Sequence, residues 1–314
     1  MEKKLVSVII AAYRAEKTLN RAIDSLKAQT SGSWEAIIVD DNSPDGTYEL
    51  ARRMADSDKR IRAIKLDENG GPSAARNAGI NASSGDWVAI LDSDDEFSEK
   101  RLENFYDFIE NNDCGIVFDN ICDLAEVTGF KRPYWPHWNN VNEEIKLIEM
   151  LQGTCGVFKR NYGVLKPFIK KNELLRTGVF YDLSLRRGED VNLYLRLMLS
   201  GVRVGRIPEI GYFYESSDQV NDDKASLNNL SDSYSGTIKV KIEHWDKMTL
   251  SERAWLSVRL ARTLMSDDWT TYIDAKKKMD WGRIIVLMLK SSSVRTKVFF
   301  GVLAPKMYRL FSKA

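Results

Sequence analysis

Histidine and cysteine are scarce in this chain of 314 residues, which has two of the first and three of the second. His137 and His244 stand in no spacing that suits a zinc site or a Ser-His-Asp triad, so zinc chemistry and a serine-type hydrolase find little support. Cys114, Cys122 and Cys155 are scattered and odd in number, and no signal peptide precedes them, so reduced thiols in a cytoplasmic protein are expected. Neither sign of charge dominates: 46 Lys and Arg face 45 Asp and Glu, which argues against nucleic acid as a partner. No apolar run reaches the roughly 18 residues that span a bilayer. The run from Leu5 to Ala12 is too short for a signal sequence with its cleavage site and predicts a first core strand. Also missing are a Gly-x-Gly-x-x-Gly loop and a Gly-Lys-Ser/Thr loop, which disfavours a dinucleotide fold and a P-loop NTPase.

What the chain does contain is alternation. Apolar, β-branched runs at Val6–Ile10, Trp34–Val39, Ile61–Leu66 and Trp87–Leu91 predict buried strands. Helical patterns lie between them at about Ala15–Gln29, Thr47–Ala55 and Pro72–Ala82, the last opened by a proline suited to a first helical turn. Strand-helix alternation of this kind predicts a parallel α/β sheet, whose ligands bind beyond the carboxyl ends of the strands. Tyr13, Asp40-Asp41 and Asp92-Ser93-Asp94-Asp95 all fall at such ends. Carboxylates crowded at the mouth of a buried strand repel one another unless a cation or a donor network sits among them. Oxygen ligands suit a hard ion, Mg²⁺ or Mn²⁺, that also takes substrate phosphates. A solvated acidic turn is the plain alternative.

Four segments, Ser7–Tyr13 (SVIIAAY), Val39–Thr47 (VDDNSPDGT), Gly71–Gly79 (GPSAARNAG) and Leu91–Asp95 (LDSDD), resemble in order and spacing the family 2 glycosyltransferases of the GT-A fold. The resemblance implies an α/β GT-A domain, a mixed sheet flanked by helices; helical patterns at Tyr234–Trp245, Leu250–Leu264 and near Tyr272–Met279 predict a helical C-terminal extension. It implies inverting transfer of a sugar from a nucleotide-diphospho-sugar. By the same resemblance Ala11 and Tyr13 would line the base pocket and Asp41 would bind base or ribose. Asp92, Ser93 and Asp94 would form the Asp-x-Asp motif, with Asp94 the foremost metal ligand and Asp92 beside it. Arg76 would stand near the phosphates or brace the acids. Simpler roles stay open: Tyr13 as a strand cap, Asp40 as a turn residue, Arg76 as an internal ion-pair partner.

Further on, Ser98–Ile109 predicts a helix and Gly115–Asp119 a strand. Tyr134, Trp135 and Trp138 lie in an irregular stretch, as sugar-stacking rings or as core filling. Lys166–Lys171 is basic, as a segment that meets phosphate or, the plainer reading, as a solvated face. Gly188-Glu189-Asp190 opens an apolar helical pattern, where carboxylates suit the first turn. An attacking hydroxyl must lose its proton, and a positioned carboxylate is a fitting base; the resemblance assigns that role to Asp190, with Glu189 in support. Arg186 and Arg187 could reach phosphate or lie at the surface. Glu215 departs from the basic residue more usual there. Arg187–Arg196 resembles exopolysaccharide glucosyltransferases of the succinoglycan type, and the Gln-x-x-Arg-Trp signature of processive polymerases is absent.

The expected division is a GT-A domain over 1–225, with a nucleotide-binding half at 1–95 and an acceptor half at 96–225, followed by a helical, basic extension at 226–314. Residues 281–314 carry seven Lys or Arg and no acid, with two short apolar runs. That pattern predicts peripheral attachment to the inner face of the cytoplasmic membrane, or a helix packed on the domain. The expected substrates are a UDP-sugar and a lipid-linked or polysaccharide acceptor. A nucleotidyltransferase would need a Gly-rich basic loop where Ala11–Lys17 stands. A catalytically silent scaffold binding glycan or nucleotide is opposed by the intact Asp92, Asp94 and Asp190.

Overall fold

The computed structural model describes residues 5–123, 133, 135, 138, 144–154, 162–186, 188–215, 236–237, 239–240, 243–257 and 259. Strands β1 (Val6–Ala12), β2 (Trp34–Asp40), β3 (Ile61–Lys65) and β4 (Trp87–Ile90) alternate with helices α1 (Leu19–Lys27), α2 (Thr47–Ser57) and α3 (Pro72–Ala82). β1 lies between β2 and β4, parallel to both, and β2 runs parallel to β3. Val8, Ile9 and Ile10 are all fully buried, so both faces of β1 are covered and its sequence is a continuous apolar run. α1 buries Leu19, Ala22, Ile23 and Leu26, the stripe its spacing predicts. It begins four residues after the expected Ala15, whose carbonyl closes a turn onto the N–H groups of Thr18 and Leu19. α3 crosses β1 at Gly79, where a Cβ would lie 2.3 Å from Ile9 Cγ2; only glycine permits that approach.

The remaining elements are β5 (Glu96–Phe97), α4 (Arg101–Asn111), β6 (Ile116–Asp123), α5 (Leu147–Thr154), β7 (Phe168–Lys170), α6 (Lys171–Thr177), α7 (Glu189–Leu199) and β8 (Val204–Tyr214). All eight strands form one sheet in the order β3-β2-β1-β4-β7-β6-β8-β5. β7 runs antiparallel to β4 and β6, and β5 antiparallel to β8, while β6 and β8 are parallel. β1–β4 are parallel, as their alternation with helices predicts, and the sheet as a whole is mixed, as the resemblance implies. β7 is reached through a long segment instead of one crossover helix, so nothing forces it to run parallel. The β6–β8 register slips between Asp119 and Ile121: β6 advances from Asp119 to Ile121 while β8 advances from Ile207 to Tyr212. Pro208, which has no N–H to give, sits in that slip, and Asn120 Nδ2 donates to its carbonyl at 3.2 Å.

This half buries aromatic rings and charge. Trp135 and Trp138 are stacked at 5.0 Å beside Tyr162 and are core filling, not open sugar platforms. Tyr134, Pro136 and His137 lie outside the described residues. Arg101 forms a fully buried pair with Asp119, at 2.5 Å and 2.9 Å, its guanidinium packed over the rings of Phe97, Phe168 and Tyr212. Val240, Met248 and Leu256 also join the core, and Asn192 of α7 donates to the carbonyl of Gly236 at 3.0 Å. The basic stretch 281–314 lies outside the described residues, as do Cys155 and Arg187; Cys114 is a free thiol. Among the described residues no helix is long and apolar enough to cross a membrane.

Candidate active site

β4 delivers Asp92 at its carboxyl end, immediately past the fully buried Leu91. α3 starts at a turn held by Asp41, whose two carboxylate oxygens accept the N–H groups of Gly70 and Gly71, each at 2.8 Å. Gly71 takes φ +82°, a left-handed conformation that glycine adopts without strain. One turn on, α3 carries the buried Arg76. α7 opens after Gly188, at φ +72°, with Glu189 and Asp190 in its first turn, where the helix dipole favours carboxylates.

These segments meet in a closed ion network. Arg76 Nη2 donates to Asp92 Oδ1 at 2.9 Å, and Nη1 to Glu189 Oε1 at 2.7 Å and Asp190 Oδ1 at 3.2 Å. Lys166 Nζ lies 2.9 Å from Asp92 Oδ2 and 2.8 Å from Asp190 Oδ2. Both oxygens of Asp92, and both of Asp190, are thus each taken by a cation. Burial works against the charge on the Asp92 carboxyl, but Lys166 and Arg76 outweigh it and hold the group below its usual range. Burial likewise opposes the Lys166 ammonium; Asp190 and Asp92 prevail and raise it above the ordinary lysine value. Glu189 is pushed up by burial and by the charge of Asp190. Tyr181 presses on the network, with Arg76 5.3 Å from its ring centroid. Asn77 holds Tyr181 in place by bonds to its backbone carbonyl and N–H, at 2.9 Å and 3.1 Å.

The other predicted residues take these places. Ala11 is half-buried near the end of β1, and Tyr13 just beyond it is 45% exposed, with Arg14 5.4 Å from its ring centroid. Asp40 is fully buried and accepts the Ser43 N–H at 3.1 Å, a turn-holding bond. Asp41, expected to face a ligand, is also buried and spends both oxygens on the Gly70-Gly71 turn. Ser93 is half-buried, and Asp94 is exposed. Arg186 Nη1 lies 3.4 Å from Asn69 Oδ1, beside Gly71. Arg21 of α1 bonds the carbonyl of Asp94 and the carboxylate of Glu215, and pairs with Glu96 at 3.2 Å. The acid at 215 therefore answers a base from α1.

Lys166 corrects the sequence reading. It is 8% exposed and no part of a solvated face. Its only sequence signal was its apolar setting between Leu165 and Pro167-Phe168-Ile169. Asp95, the last acid of the strand-end cluster, is tied to Asp92 through Tyr212, to which the sequence reading gave no role: Tyr212 Oη donates to Asp95 Oδ2 at 2.6 Å and accepts the Asp92 N–H at 3.1 Å. Burial, followed by the nearby charge of Asp92, pushes the Asp95 carboxyl up to about 7.

Asp94 fits a divalent ion better than Asp92 does. Although Asp94 opens to solvent, the protein packed beside it and the charges of Asp92 and Glu215 raise its carboxyl, and an added cation would relieve that repulsion. Among the described residues no group of three or more His, Cys, Asp or Glu is arranged to hold a metal. An ion here would rest on Asp94 together with oxygens of substrate and water, as Mg²⁺ commonly does.

Residues 7–170 match the family model for glycosyl transferase family 2. The succinoglycan biosynthesis protein ExoO of Rhizobium meliloti is 31% identical over 260 residues, covering 80% of this chain and 68% of that protein. Among solved structures, S. aureus TarS aligns with a TM-score of 0.60 at 20% identity, covering 83% of this chain; this chain spans 43% of that one. A shorter form, TarS 1–349 in complex with UDP-GlcNAc, aligns with a TM-score of 0.58 at 15% identity, over 90% of each chain. The mannosyltransferase PcManGT of Pyrobaculum calidifontis, in complex with GDP-Man and Mn²⁺, gives a TM-score of 0.61 at 15% identity, over all of this chain and 89% of that one. The sheet order, the helices that flank it and these likenesses agree on a GT-A fold, and the chain belongs to glycosyl transferase family 2.

Proposed function

We propose that the protein moves one sugar, with inversion, from a UDP-sugar to a lipid-linked or polysaccharide acceptor in bacterial surface-glycan synthesis. The observation that carries this reading is the meeting of Asp92 and Asp190 on the same two cations, Arg76 and Lys166. It puts the donor-side acid of β4 beside the acid at the head of α7. The UDP-GlcNAc complex of TarS supports the choice of nucleotide, and the name of ExoO supports the acceptor class.

In this reading the exposed ring of Tyr13 stacks on the base, with Ala11 beside it, and Asp41 lines the ribose side through the turn it holds. Asp92 and Ser93 shape the lip on which the diphosphate lies, and Arg76 braces it. A divalent ion, Mn²⁺ or Mg²⁺, held by Asp94 with Asp92 adjacent would neutralise the charge gathering on the departing diphosphate. The acceptor oxygen bonds to the anomeric carbon from the face opposite the diphosphate. The bond from that carbon to the diphosphate oxygen breaks, and its electron pair leaves with the nucleotide. The hydroxyl proton passes to Asp190, while Glu189 keeps Arg76 engaged. One displacement inverts the anomeric centre. The basic, acid-free sequence of 281–314 supports attachment at the inner face of the cytoplasmic membrane.

The test is a panel of UDP- and GDP-sugars with Mn²⁺, read as thermal stabilisation. A ligand at a hundred times its Kd stabilises the fold by about 2.7 kcal/mol. Stabilisation by UDP-sugars alone is expected. Asp190→Asn should keep that response and lose transfer by a factor of about 10²–10⁴. Transfer at the parent rate in that variant would remove Asp190 from the chemistry. Deleting 281–314 should release the protein from membranes.

A further inference from the structure

We propose that Lys166 is a positioning residue for the transfer reaction: it grips Asp190 by Oδ2 and so presents Oδ1 as the oxygen that takes the acceptor's proton. The inference rests on the reading of Asp190 as the base.

Three observations carry it. The first is the inequality of the bonds to Asp190. Oδ2 is held by Lys166 Nζ at 2.8 Å, whereas Oδ1 shares Arg76 Nη1 with Glu189 and lies on the longer arm, 3.2 Å against 2.7 Å. Oδ1 is the oxygen that can exchange its partner for a hydroxyl while Arg76 keeps Glu189 and Asp92.

The second is the mount. The carbonyl of Leu165 accepts the hydroxyl of Tyr194 at 2.8 Å, and the carbonyl of Lys166 accepts Arg101. Tyr194 lies one turn along α7 from Asp190, so the helix that bears the carboxylate also anchors the segment that bears the ammonium. Arg101 is in turn locked by Asp119 and boxed by aromatic rings. An ammonium on a flexible stem becomes a fixed reference point when its backbone is tied at both carbonyls.

The third is cost. A lysine this deeply buried is unfavourable unless paired, and each of its two partners is an acid of the site. When the acceptor oxygen bonds to the anomeric carbon and the diphosphate departs with the electron pair of the broken bond, the proton arrives at Oδ1. Oδ2 stays on the ammonium throughout, so the carboxylate need not turn during the step. Preorganisation of this kind acts on turnover more than on donor binding.

The experiment compares Lys166→Met, Lys166→Arg and Asp190→Asn in the full chain, with UDP-glucose and Mn²⁺, following UDP release and UDP-induced thermal stabilisation. Lys166→Met is expected to lower kcat by about 10²-fold with KM changed less than about threefold, a misplacement effect. Lys166→Arg should recover at least about tenfold of that loss by restoring a cation. A kcat for Lys166→Met within about twofold of the parent, or a loss confined to KM, would overturn the positioning role. If Lys166→Met does not melt cooperatively, Lys166→Gln, which keeps a hydrogen-bond donor, is judged by the same kcat criterion. An inactive Asp190→Asn beside a fast Lys166→Met refutes this inference alone; an active Asp190→Asn refutes the base itself.

Discussion

The two halves of the sheet are stabilised by different physics. Between β1–β4 and their helices the interior is mainly aliphatic, built from Val8, Ile9, Ile10, Ile37, Ile38 and Val39, and its buried charges, Asp40, Asp41 and Arg76, are gathered at the carboxyl ends of the strands. Around β5–β8 it holds buried charge, Arg101 with Asp119, among rings of Phe97, Phe168 and Tyr212. The aliphatic half tolerates small errors because hydrophobic contact has no direction. The charged half does not, because a buried ion that loses its partner bears its full desolvation cost.

The sharpest break in that contrast is Asp119→Ala, which orphans Arg101. A loss of about 3–5 kcal/mol is expected by urea denaturation, and the double variant Arg101→Met/Asp119→Leu should recover most of it. Next comes pH. The Asp95 carboxyl is raised to about 7, so between an unfolded value near 4 and that figure the folded chain holds a proton the unfolded chain has shed. Stability from this group is therefore present at the acid end and lost as pH rises through about 7. On the order of a few kcal/mol should separate the ends of the window, measured without divalent ions, and Asp95→Asn should flatten the curve. In the aliphatic half, Gly79→Ala forces a methyl against Ile9 and should cost about 1–3 kcal/mol in the same denaturation assay. The smallest effect belongs to Asp113, paired with Arg203 at 2.6 Å at the open surface. Asp113→Asn should change stability by less than about 1 kcal/mol, which separates burial from charge as the cause of the first result.

The same contrast decides what could be read beforehand. The bounds of α3, Pro72–Ala82, are written locally, in a proline at the first turn and a serine beyond the last. Asp92 and Glu189-Asp190 stand out as acids at the ends of apolar patterns, and Arg76 through the Gly71–Gly79 segment that carries the family resemblance. Lys166 was not, since what buries it is a pair of carboxylates brought from other parts of the chain. Asp41 shows the same limit: its bonds go to Gly70 and Gly71, which arrive from the loop before α3. Strand β7 is three residues long and carries too short a pattern for periodicity to mark.

The slip between β6 and β8 leaves β8 three residues ahead of its neighbour by the time Tyr212 meets Ile121. Side chains on a strand alternate faces, so an odd surplus swaps inside for outside. Shortening that stretch by a single residue would turn the phenol of Tyr212 away, strand the Asp95 carboxyl and untie the Asp92 amide. The tether on the donor-side acid is thus a matter of parity, and a one-codon deletion in β8 would undo it.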